Sequence, residues 1–406
     1  MSYVPIEQLI VYFEHCKEKH RLGRLARYNR QILFEYDADF IEKSLPVSPI
    51  KLPLKPGVFV PDDNLFKGLF GLFNDSLPDG WGRLLLDRAL TKQGIHVREL
   101  GALDRLAFVG QGGMGALSYE PAMDTFVSDK NNQSLLVLDR LADESRQMLS
   151  GATEDIFPEL LALNGASAGA RPKIVVKVSQ DKREMIYGPD CEQPGFESWM
   201  IKFPSMLDPH DIGPLEYAYS LMARDAGVDI PQTHLFLTEQ GHYFGVQRFD
   251  RKGAERIHMH SLCGLIHADF RLPSLDYDTI LRVVQILTKN TCEVEKAFVL
   301  ACFNVFAHNR DDHSKNFSFI LNNQGEWQLS SAYDLTFSHG PHGEHSTTVM
   351  GEGRAPTIEH LKALGKKHGL KRALLLIEQV REAVFRWKTY AETAGVSERT
   401  LREIAF

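Results

Sequence analysis

The chain has 406 residues, of which 43% are hydrophobic and 24% charged, and its formal net charge is −7. This length exceeds one ordinary hydrophobic core, so we expect two or three domains, and the acidic balance excludes nucleic-acid binding driven by bulk charge. The five cysteines form no CxxC pair, so neither a zinc ribbon nor a disulfide framework is indicated. No apolar run approaches the ~18 residues that span a bilayer, and the first 20 residues lack the n-, h- and c-regions of a signal peptide, so we expect a cytoplasmic protein without membrane contact.

Residues 1–122 are predicted to form a small accessory α/β module. Apolar residues recur at helical spacing within residues 1–20, which predicts a short amphipathic helix. Apolar and polar residues then alternate through residues 21–60, as they do in half-buried strands. Pro-Asp-Gly at 78–80 has turn chemistry and begins a predicted helix. The glycines within 110–115 are interpreted as a tight turn before a short strand rather than as a nucleotide loop.

Residues 123–258 are predicted to form a domain in which strands dominate, after a polar helical connection that ends near residue 150. Four strings rich in β-branched and aromatic residues indicate strands: KIVVKVS, SWMIKFP, HLFLTE and HYFGVQRFD. One helical string, LEYAYSLMARDAG, interrupts them and ends at Gly227. We therefore expect a sheet with one inserted helix.

Residues 259–406 are predicted to be mainly helical, since strings such as TILRVVQILTK and VEKAFVLACFNVFAHN have helical periodicity. One strand–turn–strand string, FSFILNNQGEWQLS, interrupts these helices and predicts a hairpin. Taken with the preceding segments, this pattern predicts an α+β fold with an α/β N-terminal half and a mainly helical C-terminal half.

The densest polar cluster is NRDDHSKN at 309–316, between an apolar helix and the first strand of this hairpin. In an antiparallel hairpin, the residues just before the first strand lie beside those just after the second. Asp311 and Asn316 should therefore face Asp334. Two carboxylates and one amide provide the hard oxygen donors that magnesium with nucleotide phosphates requires. The alternative that the spacing leaves open is a capped turn entering a strand.

Lys202 and Glu216 extend this pattern toward phosphoryl transfer, which needs a lysine on the phosphates and a carboxylate that aligns the attacking hydroxyl. Lys202 lies within the strand string WMIKFP, and Glu216 on the next helix can orient it through an ion pair. A strand lysine, a helix glutamate, D-x(4)-N and a later Asp follow the order seen in protein kinases, although HRD, DFG and GxGxxG strings are absent. Taken singly, Lys202 also fits a surface strand lysine and Glu216 a helix residue favoured by the dipole.

Three histidines, His339, His342 and His345, follow Asp334 within a segment rich in Gly and Pro. They lack the i, i+4 helical spacing of a zinc-binding pair. We interpret them as part of a mobile loop that faces the substrate rather than as a metal site.

Several strings together resemble the HipA-type serine/threonine kinases, the toxin component of bacterial toxin–antitoxin pairs. The strings are LPDGWGR (77–83), GALSYEP (115–121), SAGARPK (167–173), WMIKFP (199–204), VQRFDR (246–251), DDHSKNFSF (311–319) and SAYDL (331–335). The resemblance implies a two-lobed, protein-kinase-like fold. Residues 1–122 would form the accessory N-terminal module, residues 123–258 the α/β small lobe and residues 259–406 the mainly helical large lobe.

The resemblance also implies roles for single residues of the catalytic loop. Asp311 would be the catalytic carboxylate, and His313 and Lys315 in the same loop would lie beside the nucleotide. Asn316 and Asp334 would bind Mg²⁺.

For ATP, the resemblance implies that Lys202 contacts the phosphates and that the backbone from Gln247 to Phe249 holds the adenine, on which Phe249 packs. Gln247 stands where an acidic residue can occur in the family. A loop that can close over the phosphates would comprise Ala168, Gly169, Ala170, Arg171 and Lys173. Small residues in such a loop let backbone N–H groups approach anions.

One departure from the family concerns a serine that some members autophosphorylate just ahead of this loop. Counting back from Gly169 places that serine at Ala166, whereas the nearest serine is Ser167. Autophosphorylation at Ser167 is therefore a hypothesis.

The partners implied by the resemblance are a small helix-turn-helix antitoxin of the HipB type and a protein substrate, for which the family offers an aminoacyl-tRNA synthetase. DNA would be contacted only through the antitoxin. Two alternative functions stay open: a nucleotide-binding but weakly active partner of the antitoxin, and a kinase of small molecules.

Overall fold

The structure is a computed structural model that describes residues 3–92, 94–123, 138–152, 160–161, 163, 169, 171–186 and 193–404. The strands are β1 (Gln8–His15), β2 (Glu18–Tyr28), β3 (Gln31–Tyr36), β4 (Val58–Phe59), β5 (Leu117–Glu120), β6 (Lys173–Ser179), β7 (Met185–Ile186), β8 (Phe196–Lys202), β9 (Thr233–Leu237), β10 (His242–Gln247), β11 (Arg251–Lys252), β12 (Glu255–Arg256), β13 (Met259–Ser261), β14 (Leu275–Asp276), β15 (Ser318–Leu321), β16 (Trp327–Leu329) and β17 (Thr347–Thr348). The helices are α1 (Ala38–Glu42), α2 (Gly71–Asn74), α3 (Gly80–Lys92), α4 (Ala102–Val109), α5 (Leu138–Ser150), α6 (Ile212–Asp225), α7 (Leu262–Ile266), α8 (Tyr277–Thr288), α9 (Thr291–Phe306), α10 (Ile358–Lys367), α11 (Ala373–Phe385), α12 (Trp387–Ala394) and α13 (Glu398–Glu403). This mixture confirms the predicted α+β class.

The first sheet has the order β4-β3-β2-β1-β5 and is antiparallel throughout. The helix predicted over residues 1–20 is wrong, because strand β1 and the start of β2 occupy this segment. Leu9, Val11 and Phe13 are fully buried at every second position, which is the period of a strand with one face on a core. The strands predicted from the alternation after residue 20 are present as β2 and β3.

Helix α3 begins at the Pro-Asp-Gly turn, as predicted, and belongs to a different core from the first sheet. Its Trp81 and Leu85 are buried in one cluster with Trp199 and Ile201 of strand β8. The first sheet instead shares a large core with the C-terminal helices, in which Phe298 of α9 is fully buried. The predicted boundaries at 122/123 and 258/259 stay predictions, since α3 packs across the first of them.

The second sheet has the order β7-β6-β8-β10-β9 and also consists of antiparallel pairs. Strand β8 lies between β6 and β10, so Lys202 is opposite Lys173 on one side and Phe244 on the other. Helix α6 packs against β10 so closely that a Cβ on Gly213 would lie 2.1 Å from the carbonyl oxygen of His242. This sheet and its inserted helix correspond to the arrangement predicted from the sequence.

The predicted hairpin is formed by β15 and β16, and β13 pairs with β15 to complete a three-stranded sheet. His258, just ahead of β13, lies where this hairpin meets the first sheet. Its ring packs against Phe13 of β1 and Trp327 of β16, and its Nε2–H donates to the carbonyl oxygen of Val47 at 2.9 Å. Because the ring is buried, the pKa of His258 is lowered to about 3.

The glycine-rich turn at 110–115 is a junction between the first sheet and the end of the second. The backbone N–H of Gly115 donates to the buried carboxylate of Asp250 at 2.8 Å. Arg251 and Arg256 donate in turn to the carbonyl oxygens of Gly113 and Gly115. The turn was predicted as a local feature, but its backbone contacts residues more than 130 positions away.

No helix among the residues that the structure describes combines the length and the apolar character needed to cross a bilayer.

Candidate active site

Lys202, the last residue of β8, is held between two carboxylates. Its Nζ lies 2.9 Å from Oε1 of Glu216 and also donates to the carboxylate of Asp334. Lys202 and Glu216 are both almost fully buried. Burial alone would lower the pKa of Lys202, but the charges of Asp334 and Glu216 raise it above its usual value. The lysine is therefore a fixed cation.

Arg171 is a second cation at the same glutamate. Its Nη1 donates to Oε1 of Glu216 at 3.0 Å, and its guanidinium also pairs with Asp208 at 3.0 Å. Glu216 lies on α6, one turn beyond the close contact of Gly213 with β10, so the packing of this helix sets the glutamate's position. Glu216 thus connects the strand lysine to the arginine.

Asp334 follows the hairpin and has a backbone φ of +56°, in the left-handed region that aspartate tolerates better than most residues. The charge of Lys202 lowers its pKa well below the usual range, and the charges of Lys173 and Arg171 act in the same direction. Asp334 is therefore ionised over the whole physiological range of pH. Phe249 stacks on Tyr333, the preceding residue, with ring centroids 5.5 Å apart.

Asp311, which the hairpin geometry predicted to face Asp334, has a side chain that is 63% exposed. Desolvation raises the pKa of its carboxyl above the usual value, and the negative charge of Asp334 adds to the rise. The Nδ2 of Asn316 donates to the backbone carbonyl of Asp311 at 2.7 Å, which closes the loop between them. The amide oxygen of Asn316 takes no part in that bond.

Asp312, next to Asp311, is fully buried and has a structural role. Its carboxylate accepts from the Tyr277 hydroxyl at 2.8 Å, from Nδ1 of His345 at 2.9 Å and from the backbone N–H of Thr347 at 3.1 Å. The prediction of a mobile, substrate-facing loop is therefore wrong for His345. That histidine is buried because it anchors the loop to Asp312.

The backbone at Gln247 is partly used by the fold. The N–H of Gln247 donates to Gln232 at 2.9 Å, and that of Arg248 donates to Ser198 at 2.8 Å. These two amides are thus engaged in the sheet. These two bonds do not involve the Phe249 amide or the neighbouring carbonyl groups. These groups are the remainder of the predicted adenine-binding backbone.

Comparison with known proteins gives two family models with matches along the chain. The HipA N-terminal domain matches residues 14–120, and the HipA-like C-terminal domain matches residues 165–388, which is more than half of the chain. The chain belongs to the HipA family. The resemblance predicted from the short motifs is thereby confirmed at the level of the family.

Among solved structures, this HipA-family chain is similar to a chain of the HipA, HipB and operator DNA complex of the Shewanella oneidensis MR-1 toxin–antitoxin system. The sequences are 14% identical, the TM-score is 0.69, and the match covers 98% of this chain and 94% of the other. At this identity the likeness establishes the fold alone. A second match, to the proinflammatory kinase CtkA of Helicobacter pylori, has 12% identity, covers 49% of this chain and 89% of that one, and has a TM-score of 0.31, too low to argue from.

The loop predicted to lie near the phosphates is described only at Gly169, Arg171 and the residues after it, so the predictions for Ser167, Ala168 and Ala170 fall outside the described residues. Gly169 has a φ of +104°, where a side chain would be strained. Lys173 is almost fully buried, and burial lowers its pKa to about 8.

Asp79 was not predicted as a site residue, yet it contacts two predicted ones. One carboxylate oxygen accepts from the Gly169 N–H and the other accepts from Nζ of Lys315. Lys315 also lies over the ring of Phe270, 4.8 Å from its centroid. The sequence signal was the Pro-Asp-Gly string, which indicates a turn and gives no indication of this long-range contact.

The predicted magnesium ligands fit a divalent cation by their chemistry. Asp311, Asn316 and Asp334 offer carboxylate and amide oxygens, the donors that Mg²⁺ prefers. The negative charge of Asp334 also contributes to the raised pKa of Asp311, and a bound cation would offset this repulsion. Within the described part of the chain, no three His, Cys, Asp or Glu side chains form a ready metal cluster.

Proposed function

We propose that this protein is a kinase that transfers the γ-phosphate of ATP, with Mg²⁺, to a serine or threonine hydroxyl of a protein. The observation that carries the proposal is the buried Lys202, fixed between Glu216 and Asp334. Asp311 lies beside Asp334 with an exposed carboxylate. A lysine fixed by a helix glutamate, together with two nearby aspartates, is the arrangement that phosphoryl transfer from ATP uses.

Each residue has a distinct part in the proposed reaction. Lys202 holds the phosphates, and Asp311 accepts the hydroxyl proton while the hydroxyl oxygen bonds to the γ-phosphorus and the bond to the ADP oxygen breaks. Asn316 and Asp334 would hold Mg²⁺, which when bound neutralises charge on the phosphates.

The proposed adenine site lies beside Phe249, whose ring is fixed by stacking on Tyr333. The adjacent residue Asp334 is at the metal end, so this stack connects the base end of the site to the phosphate end. A planar ring of this kind provides the face on which an adenine packs.

We further propose that this protein acts as a growth-arresting toxin whose partner is a HipB-like antitoxin. The support is family membership together with the similar fold of the Shewanella HipA, which was solved with HipB and operator DNA. That the substrate of this protein is another protein, with an aminoacyl-tRNA synthetase as the candidate, is a prediction from the family. Incubation with labelled ATP and a set of purified synthetases tests it.

The deciding experiment measures transfer of label from γ-labelled ATP, in magnesium buffer, to the chain itself and to proteins of a dephosphorylated bacterial lysate. We expect transfer by the wild type and a loss of more than about a hundredfold in Asp311→Asn, since general base catalysis contributes ~10²–10⁴-fold. Asp143→Asn, which alters an exposed aspartate on α5, is the matched control and should retain transfer. A wild type that binds ATP but labels no protein would favour the weakly active binding partner, and label on a metabolite instead would favour a small-molecule kinase.

A further inference from the structure

Asp79 lies at the N-terminal end of α3, and its contacts join the N-terminal part of the chain to the phosphate end of the candidate site. Lys315, which it binds, is 236 residues away in the catalytic loop. Gly169, which it also binds, belongs to the phosphate-proximal loop. The backbone N–H of Trp81 adds a second bond, donating to the carbonyl oxygen of Gly169 at 3.1 Å. Both polar groups of the Gly169 backbone are thus held by one turn of chain.

Asp79 lies in a partly buried environment in which its charge is paired. Its side chain is 29% exposed and that of Lys315 is 13% exposed. Burial would raise the pKa of Asp79, but the charge of Lys315 and the Gly169 N–H lower it below the usual value, so the carboxylate is ionised. The Nζ of Lys173 packs against Gly169. A Cβ placed on that glycine would lie 2.3 Å from this Nζ.

The charges around the site alternate in sign from Asp79 inward. Lys173 experiences the charges of both Asp79 and Asp334, and Asp334 in turn pairs with Lys202. Asp79 therefore belongs to a series of neighbouring opposite charges that continues through Lys202 and Glu216 to Arg171 and Asp208. Removing Asp79 leaves the ammonium of Lys315 and the N–H of Gly169 without the group that fixes them.

We infer that Asp79 is a positioning residue for phosphoryl transfer, which holds Lys315 and Gly169 where they meet the phosphates. This inference rests on the proposed function. Its physical basis is that a cation and a backbone donor stabilise transferring phosphate only when they are placed in advance.

The test compares Asp79→Asn with Asp87→Asn. Asp87 lies on the same helix and pairs with Arg105 at 2.5 Å, with side chains 23% and 11% exposed, so its ion pair is similarly buried but involves neither Lys315 nor Gly169. At saturating ATP we expect the rate of label transfer to fall about ten- to a hundredfold in Asp79→Asn, since displacement of positioned groups by about 1 Å costs up to ~10²-fold. Asp87→Asn should transfer at the wild-type rate.

Two further measurements separate positioning from a general effect on folding. Adenosine binding, measured by calorimetry, should be unchanged in Asp79→Asn because adenosine lacks the phosphates that Lys315 and Gly169 are proposed to meet. The double variant Asp79→Asn with Lys315→Met should lose less activity than the product of the two single losses, because part of the effect of Asp79 acts through Lys315. Asp79→Glu, which retains the charge but displaces it by one methylene, should also transfer label more slowly than the wild type. This variant replaces Asp79→Asn in the test if Asp79→Asn does not fold.

The outcomes distinguish this inference from the proposed function. A wild type that transfers no label overturns the proposed function and this inference with it. Wild-type transfer with an unchanged or faster Asp79→Asn overturns this inference alone, as does an equal loss in Asp87→Asn or losses that multiply in the double variant.

Discussion

Asp311 and Asp312 are neighbours in sequence but lie in opposite environments. Asp311 is exposed beside Asp334, whereas Asp312 is buried and accepts three hydrogen bonds from other segments. One residue can therefore face the site while the next fixes the loop. Asp311 is therefore available for the proposed reaction, whereas Asp312 stabilises the loop.

Replacing Asp312 should destabilise the protein. In Asp312→Asn an amide N–H₂ group takes the place of one carboxylate oxygen and faces donors such as the Tyr277 hydroxyl and the Thr347 N–H. We expect the free energy of unfolding to fall by about 3 kcal/mol, because buried donors lose their charged acceptor. Urea denaturation followed by circular dichroism measures this.

The control for that experiment is Asp311→Asn, which alters an exposed carboxylate and should unfold at nearly the wild-type urea concentration. Equal stability of the two variants would contradict the structural role of Asp312.

At the scale of elements, the hairpin β15–β16 could be predicted because the turn string NNQG separates two short apolar runs. Strand β1 was mistaken for a helix because Ile10 and Tyr12, on its second face, are apolar and half-buried as well. With apolar residues on both faces, neither the helical nor the strand period is clean in the sequence.

The residues of the candidate site likewise fall into those that could be proposed from the sequence and those that could not. Asp311, Asn316 and Asp334 could be proposed from sequence because a hairpin is local and its geometry is known. Asp79, Asp208 and Tyr333 could not, since their contacts depend on how separate elements pack. Periodicity and turn chemistry carry no information about such contacts.

The packing of α6 on β10 gives a prediction at this scale. Gly213→Ala would improve intrinsic helix propensity, but its Cβ would lie 2.1 Å from the His242 carbonyl oxygen. We expect the close contact to dominate and the free energy of unfolding to fall by about 1–3 kcal/mol. Label transfer should fall with it, since Glu216 lies one turn further along the helix.

Thermal unfolding and the rate of label transfer check this prediction. Arg224→Ala, in the last turn of α6 and away from β10, is the control on the same helix. A Gly213→Ala variant that is more stable than the wild type would show that the helix can move away from the sheet without cost.

At the scale of the whole molecule, the packing around His258 should make stability depend on pH. The pKa of His258 is about 3 in the folded protein against 6.5 for a free histidine. Between these values the unfolded chain binds one more proton than the folded one, so stability falls as pH decreases below 6.5. The slope from this group approaches about 1.4 kcal/mol per pH unit. The ring faces His15, His260 and Asp75, of which His15 also has a lowered pKa.

Urea denaturation between pH 4 and pH 7 measures this slope. His258→Gln should make it shallower, while His242→Gln, which replaces an exposed histidine, should leave it unchanged. A slope that is the same in all three proteins would mean that His258 is hydrated in the folded state.

Helix α3 has a consequence for any shortened form of this protein. Trp81 and Leu85 cover apolar side chains of the second sheet, among them Trp199 and Ile201, although they precede the segment that matches the C-terminal family model. A fragment that starts at residue 165 would leave these side chains open to water and prone to aggregate. Truncations made for crystallisation or inhibitor screening should therefore keep this helix, or else replace the uncovered surface with polar residues.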